Sequence, residues 1–217
     1  MLFDELQKTL LPGMFMPKPF ELLFSWIEAN NMFIDIDHGR IGLLYPEELL
    51  RSGWTDSERP GGTIIEFLAA GNINLPEWFG HNRPDVMNRL CVFAKTGADG
   101  SMAAFWIDEE GKQKIVHLGS GSGSILTCVL ADDPIDFLRL LAIGYDEICN
   151  DSEFSTPPNS NCRPGDVFVH PNINFRNWVE STFKVSIPET ALEIVKCPAK
   201  MGESNSSDPF CRWVEFA

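Results

Sequence analysis

Four short β-favouring runs joined by tight turns, and then a well-capped helix, constrain this chain more than any other feature. Leu90 to Lys95 reads as a strand, and Thr96-Gly97-Ala98-Asp99-Gly100 as a hairpin connection with glycine where positive φ is needed. Met102 to Ile107 is the returning strand, rich in β-favouring aromatics. Asp108-Glu109-Glu110-Gly111-Lys112 forms a second turn, Lys114 to Leu118 a third strand, and Ile125 to Leu130 a fourth. Consecutive strands joined this way form an antiparallel meander. In the helix that follows, Asp133 suits the N-cap, Pro134 the first helical position, and Asp136 the positive end of the helix dipole. Leu138, Leu141, Ala142 and Tyr145 share one face; Gly144 marks the end, although the pattern allows a run on to Cys149.

The flanks are less regular. Met1 to Leu10 predicts a short amphipathic helix, and Phe20, Leu23, Phe24 and Ile27 predict a buried-face helix from about Pro19 to Ala29. A short strand, a turn at Gly39 and a polar loop are expected between Phe33 and Trp54. Ser52 to Gly62 is dense in turn formers; Thr63 to Leu68 fits either a strand or a short helix. Asn72 to Pro84 reads as a loop carrying exposed Trp78, Phe79 and His81. Residues 151–165 have the composition of a linker. Beyond them lie a short apolar segment (Val167 to Val169), a helix with the stripe Phe175, Trp178, Val179 and Phe183, and a helical extension at Thr190 to Val195. A polar loop, Met201 to Pro209, then leads to an apolar patch, Phe210 to Phe216. Strands grouped together with helices at either end argue an α+β fold, a sheet meander flanked by helices, rather than alternating α/β. The division expected is a main domain over residues 1–150, a linker over 151–165, and a C-terminal helical extension over 166–217 that packs on the main domain.

Charge narrows the function. The formal net charge is −14, which repels phosphate backbones and anionic membrane surfaces and attracts basic proteins. No nucleic-acid or membrane partner is expected. Met1 to Leu11 lacks the basic start of a secretory signal, and no stretch approaches 18 consecutive apolar residues, so a cytoplasmic location is expected. The six cysteines, Cys91, Cys128, Cys149, Cys162, Cys197 and Cys211, show no CxxC pair or zinc-finger spacing and are expected to be reduced thiols.

Few motifs carry chemistry. Gly119-Ser120-Gly121-Ser122-Gly123-Ser124 resembles a phosphate loop in composition, but no Lys follows and the next segment reads as a strand. A flexible strand connection is the plainer reading of Gly119, Gly121 and Gly123. Asp35, Asp37 and His38 offer metal-ligand chemistry, but a solvated strand face is the plainer reading, and no metal or cofactor is expected. No HExxH or GxSxG occurs, and Gly121-Ser122-Gly123 has the wrong frame for a nucleophile elbow. No catalytic residues are therefore assigned. Two surfaces suit a protein partner: the acidic turn Asp108-Glu109-Glu110, and the aromatics Trp54 and Trp78, whose plainer reading is core contact from a loop.

Phe93 to Cys149, FAKTGADGSMAAFWIDEEGKQKIVHLGSGSGSILTCVLADDPIDFLRLLAIGYDEIC, resembles the SUKH (Smi/Knr-like) superfamily of cell-wall-assembly-regulator-like and toxin-immunity domains. The resemblance rests on the Gly-Asp-Gly turn region, the strand ending Trp106-Ile107-Asp108, and Ala131-Asp132-Asp133 leading into the helix Phe137-Leu138-Arg139-Leu140-Leu141-Ala142. Phe175 to Lys196 is similar to a C-terminal extension of some bacterial members. The resemblance implies a sheet flanked by helices, no catalytic machinery, and binding of a protein toxin. The expectation is a non-enzymatic immunity protein acting on a toxin such as a basic nuclease. The alternative is a ligand-sensing or scaffold domain with the glycine-serine loop as a gate.

Overall fold

The computed structural model describes residues 1–52, 54–55, 57–61 and 65–217. Gly53, Asp56, Gly62, Thr63 and Ile64, from the turn-dense segment and the start of its ambiguous successor, lie outside the described residues. The described chain runs α1 (Leu2–Thr9), α2 (Lys18–Ala29), β1 (Phe33–Ile36), β2 (Gly39–Gly42), α3 (Glu47–Ser52), β3 (Glu58–Pro60) and β4 (Glu66–Gly71). It continues through α4 (Leu75–Phe79), α5 (Pro84–Met87), β5 (Leu90–Lys95), β6 (Met102–Ile107), β7 (Gln113–Leu118), β8 (Thr127–Ala131) and α6 (Pro134–Ala142). The last elements are β9 (Phe168–His170), α7 (Ile173–Phe183) and α8 (Pro209–Phe216). The fold is α+β.

The main sheet has seven strands in the order β1-β2-β4-β5-β6-β7-β8, every neighbouring pair antiparallel. The expected meander is its last four strands. Apolar residues run almost unbroken along β5 and β6, LCVFA and MAAFWI, because helices cover both faces of the sheet. On one face Phe93, Phe105, Ile115, Cys128 and Leu130 meet α2, α6 and α7. There Phe20 of α2 stands edge-on to Phe93 and Phe105, with centroids 5.1 and 5.3 Å away, and stacks on Phe137 of α6 at 5.8 Å. On the other face Leu90, Val92, Ala104, Trp106, Val116 and Leu118 meet α4, α5 and α8. The two-residue side-chain period sends neighbours in one strand to these two cores.

Both ends of α6 follow from local chemistry. The Asp133 carboxylate accepts from the Ile135 amide at 2.7 Å. The helix stops at Ala142 rather than running to Cys149, because Gly144 takes φ +104°. The segment 190–195 forms only a 3-10 turn at Ala191–Glu193, and the apolar patch at 210–216 is the amphipathic helix α8. Within the Ser52–Gly62 segment lies β3, which pairs in parallel with β9. Residues 151–165 carry Phe154, fully buried in the first core, and the Tyr145 hydroxyl donates to the Thr156 carbonyl at 2.8 Å. Phe175, Val179 and Cys211 join that same core from residues 166–217. The outer edge of β8 is closed by that C-terminal stretch: the Thr127 amide donates to the Ala199 carbonyl, and the Val129 amide to the Asp208 carboxylate.

Candidate functional site

Two of the groups suited to chemistry, His117 and Cys149, are sealed inside, whereas the Cys162 thiol is exposed. His117 of β7 lies wholly buried, with Nδ1 2.9 Å from the Leu126 carbonyl and Nε2 2.9 Å from the Thr96 hydroxyl. A carbonyl only accepts, so Nδ1 carries the proton and Nε2 accepts from Thr96. Burial pulls the imidazole pKa down to about 4, which keeps the ring neutral. Cys149 donates to the Glu147 carboxylate at 2.8 Å; burial, and then that carboxylate, pushes the thiol well above its ordinary range. The Ser124 hydroxyl donates to the Cys149 carbonyl. These side chains hold the structure together and present no nucleophile to solvent.

The glycine-serine loop is tied down rather than loose. One Asp99 oxygen accepts from the Ser101 amide at 3.0 Å. The other accepts from the Ser101 hydroxyl at 3.0 Å, the Ser120 hydroxyl at 2.7 Å and the Ser124 amide at 2.6 Å. Burial raises the Asp99 pKa, but these hydrogen bonds outweigh it and hold the carboxyl below its usual range. A Cβ on Gly123 would come within 2.5 Å of the Asp99 Cβ, and one on Gly119 within 2.7 Å of the Ser124 carbonyl oxygen, which is why both are glycine. Gly121 takes φ +77° in the turn. Two donors of this loop, the Ser120 hydroxyl and the Ser124 amide, thus meet on the Asp99 carboxylate.

Trp78 belongs to this assembly. Its indole N–H donates to the Gly119 carbonyl at 2.7 Å, and its ring meets Phe79, which in turn meets Trp213. Trp78, Phe79 and His81 are half-buried, because the expected loop contains α4 and α5. Trp54 lies apart from Trp78. It is exposed, with the Arg59 guanidinium 5.1 Å from its ring.

Arg59 leads into an acidic cleft of about 410 Å³. Arg59 pairs there with Asp146, and Glu147, Glu153 and Asp166 add three further carboxylates to the lining. The outer wall is shaped by Asn159, which takes φ +65°. Its side-chain amide donates to the Val169 carbonyl at 2.7 Å and accepts from the Val169 amide at 2.8 Å. Four carboxylates against one guanidinium make this wall attractive to cations. Sequence reasoning missed these residues. Asp146 and Glu147 sit where the helix was allowed to continue, and Glu153 lies in what composition marked as a linker; the turn-former density of that segment was the one available signal.

The acidic turn separates into two roles. The first Asp108 oxygen accepts from the amides of Glu110 and Lys112 at 2.9 and 2.8 Å, and the second lies 3.7 Å from the Lys114 ammonium. Asp108 therefore builds the turn, while Glu109 and Glu110 stand in solvent at its tip. Beside them is a groove of about 470 Å³ floored by Trp106 and Trp213 and walled by Arg212 and Phe216 of α8.

Among the described residues no group of three His, Cys, Asp or Glu is placed to hold a metal. Asp35 is instead held by Arg40 through bonds of 2.7 and 3.0 Å. No described helix is long and apolar enough to cross a membrane. Comparison with protein-family models, with curated proteins and with solved structures finds no match.

Proposed function

We propose that this chain is a non-enzymatic, SUKH-type protein-binding domain, an immunity protein that neutralises a basic toxin by direct binding in the cytoplasm. The observation that carries the reading is the open cleft in which Asp146, Glu147, Glu153 and Asp166 face a single Arg59. Such a wall raises the local concentration of a cationic partner and speeds encounter. Exposed Trp54, seated on Arg59 at its rim, offers an aromatic anchor of the kind that dominates binding energy.

The test is the association rate with the cognate toxin, measured over a range of ionic strength for the native chain and for a Glu153→Gln/Asp166→Asn variant. Both side chains are exposed, so the fold should survive their neutralisation. The expected result is a rate that falls with salt and drops roughly tenfold at low salt in the variant. A rate indifferent to salt and to the substitutions would remove the charge argument. A ligand-sensing role would show itself differently, as a rise in melting temperature with a small cationic metabolite bound in the same cleft.

A further inference from the structure

The groove between the 108–112 turn and α8 carries three features that the cleft reading leaves unused. Trp106 forms part of its floor and is only 1% exposed, yet its indole N–H has no hydrogen-bond partner. A buried donor left unmatched costs free energy that an arriving acceptor recovers. Glu109 stands at the rim with no ion pair among the described residues, and Glu110 has only the solvent-exposed Lys112, a contact that salt and water weaken. Phe216 of α8 is 82% exposed and meets no other ring among the described residues, so little fixes its side chain over the groove.

We infer that this groove binds an extended segment of a partner protein that places a basic side chain next to an apolar one. The chemistry of each wall matches one part of such a segment. The Glu109 and Glu110 carboxylates take the lysine or arginine. Trp213 and Phe216 cover the apolar side chain. Arg212, exposed on the α8 wall, supplies donors to main-chain carbonyls, and the Trp106 N–H adds one when the Trp213 ring packed against it, with centroids 5.5 Å apart, gives way. Asp108 takes no part in contact; it holds the turn at the right height through the Glu110 and Lys112 amides. The net charge of −14 disfavours a second copy of this chain in the same groove and favours a basic occupant. The inference stands whether or not the acidic cleft docks a toxin.

The experiment uses the full chain and a set of N-acetylated, C-amidated hexapeptides that carry Leu or Phe beside Arg or Lys, with Glu-substituted counterparts. Binding is followed by calorimetry and by tryptophan fluorescence, since Trp106 and Trp213 line the groove. The basic peptides are expected to bind at least about tenfold tighter than the acidic ones. Glu109→Gln/Glu110→Gln, both exposed, should erase that preference; Trp106→Phe should weaken binding about fivefold; and the cleft variant Glu153→Gln/Asp166→Asn should bind as the native chain does. Equal binding of basic and acidic peptides, no binding by any basic-apolar peptide, or a loss confined to the cleft variant would each overturn the inference. The exposed glutamate pair keeps the test decisive if Trp106→Phe fails to fold.

Discussion

Replacing Asp99 with alanine removes the carboxylate that ties the glycine-serine loop to the 96–101 turn. The Ser101 amide loses its partner where the residue is buried and water has poor access; the Ser124 amide keeps only its longer bond to the Ser120 hydroxyl oxygen at 3.3 Å, and the two serine hydroxyls can rotate to other acceptors. The stranded Ser101 amide costs about 1–3 kcal/mol and the weakened Ser124 bond about 1 more, and removal of a partly desolvated carboxylate from a strongly acidic protein returns some of it. The expected net loss is about 2 kcal/mol, or a fall in Tm of roughly 4–8 °C for a chain of this size. Asp99→Asn keeps an acceptor but brings an N–H₂ against existing donors, and should lose about half as much. Thermal unfolding at neutral pH gives the first number, and hydrogen exchange of the amides of residues 119–124 tests its cause. A fall in Tm under about 2 °C, or unchanged protection of those amides, would refute the reasoning. Inorganic phosphate should leave the native Tm unchanged, because a carboxylate already occupies the loop.

Three further outcomes follow from the interior. The His117 pKa is depressed in the folded state, so the unfolded chain binds the extra proton first as pH falls. Stability is full above about 6.5 and declines towards about 4, losing about 3 kcal/mol in all; denaturant unfolding across that window, with imidazole titration by NMR, checks it, and a His117 titrating near 6.5 contradicts it. Trp78→Phe removes the 2.7 Å bond to the Gly119 carbonyl and should cost about 1 kcal/mol in thermal unfolding, with faster exchange in the loop. Phe20→Ala empties the centre of an aromatic cluster formed by Phe24, Phe93, Phe105 and Phe137, and should cost about 3–5 kcal/mol by denaturant titration.

Local chemistry is readable in the sequence. The meander over β5 to β8 and the start of α6 at Asp133 and Pro134 depend on turns and caps a few residues long, and the structure has them where the pattern placed them. What escaped the sequence was determined by distant neighbours. Trp78 lies in a turn-rich stretch, but its indole reaches a carbonyl 41 positions away. β3 exists only because Glu58–Pro60 pairs with Phe168–His170, and no local pattern in ERP announces a strand. The glycine-serine loop has a flexible composition, yet Asp99, from a different turn, gathers it. The candidate sites divide in the same way. Asp108, Glu109 and Glu110 stood out as a charged turn, and the structure adds that the first is spent on the turn itself. The cleft carboxylates come from segments far apart in sequence from Arg59, and only folding brings them together.

The central claim is that this acidic protein binds a basic toxin through its carboxylate-lined cleft. The most direct measurement is capture of partners by the tagged full chain from the cells that produce it, at low and at high salt, in parallel with the Glu153→Gln/Asp166→Asn variant, with mass spectrometry of what is retained. The account predicts a stoichiometric basic toxin, released as salt rises through several tenths molar (roughly, from the shortening of the Debye length) and held less well by the variant. Retention of a toxin equally by both proteins and at all salt concentrations, or recovery of the chain alone while a cognate toxin is being expressed, would contradict it.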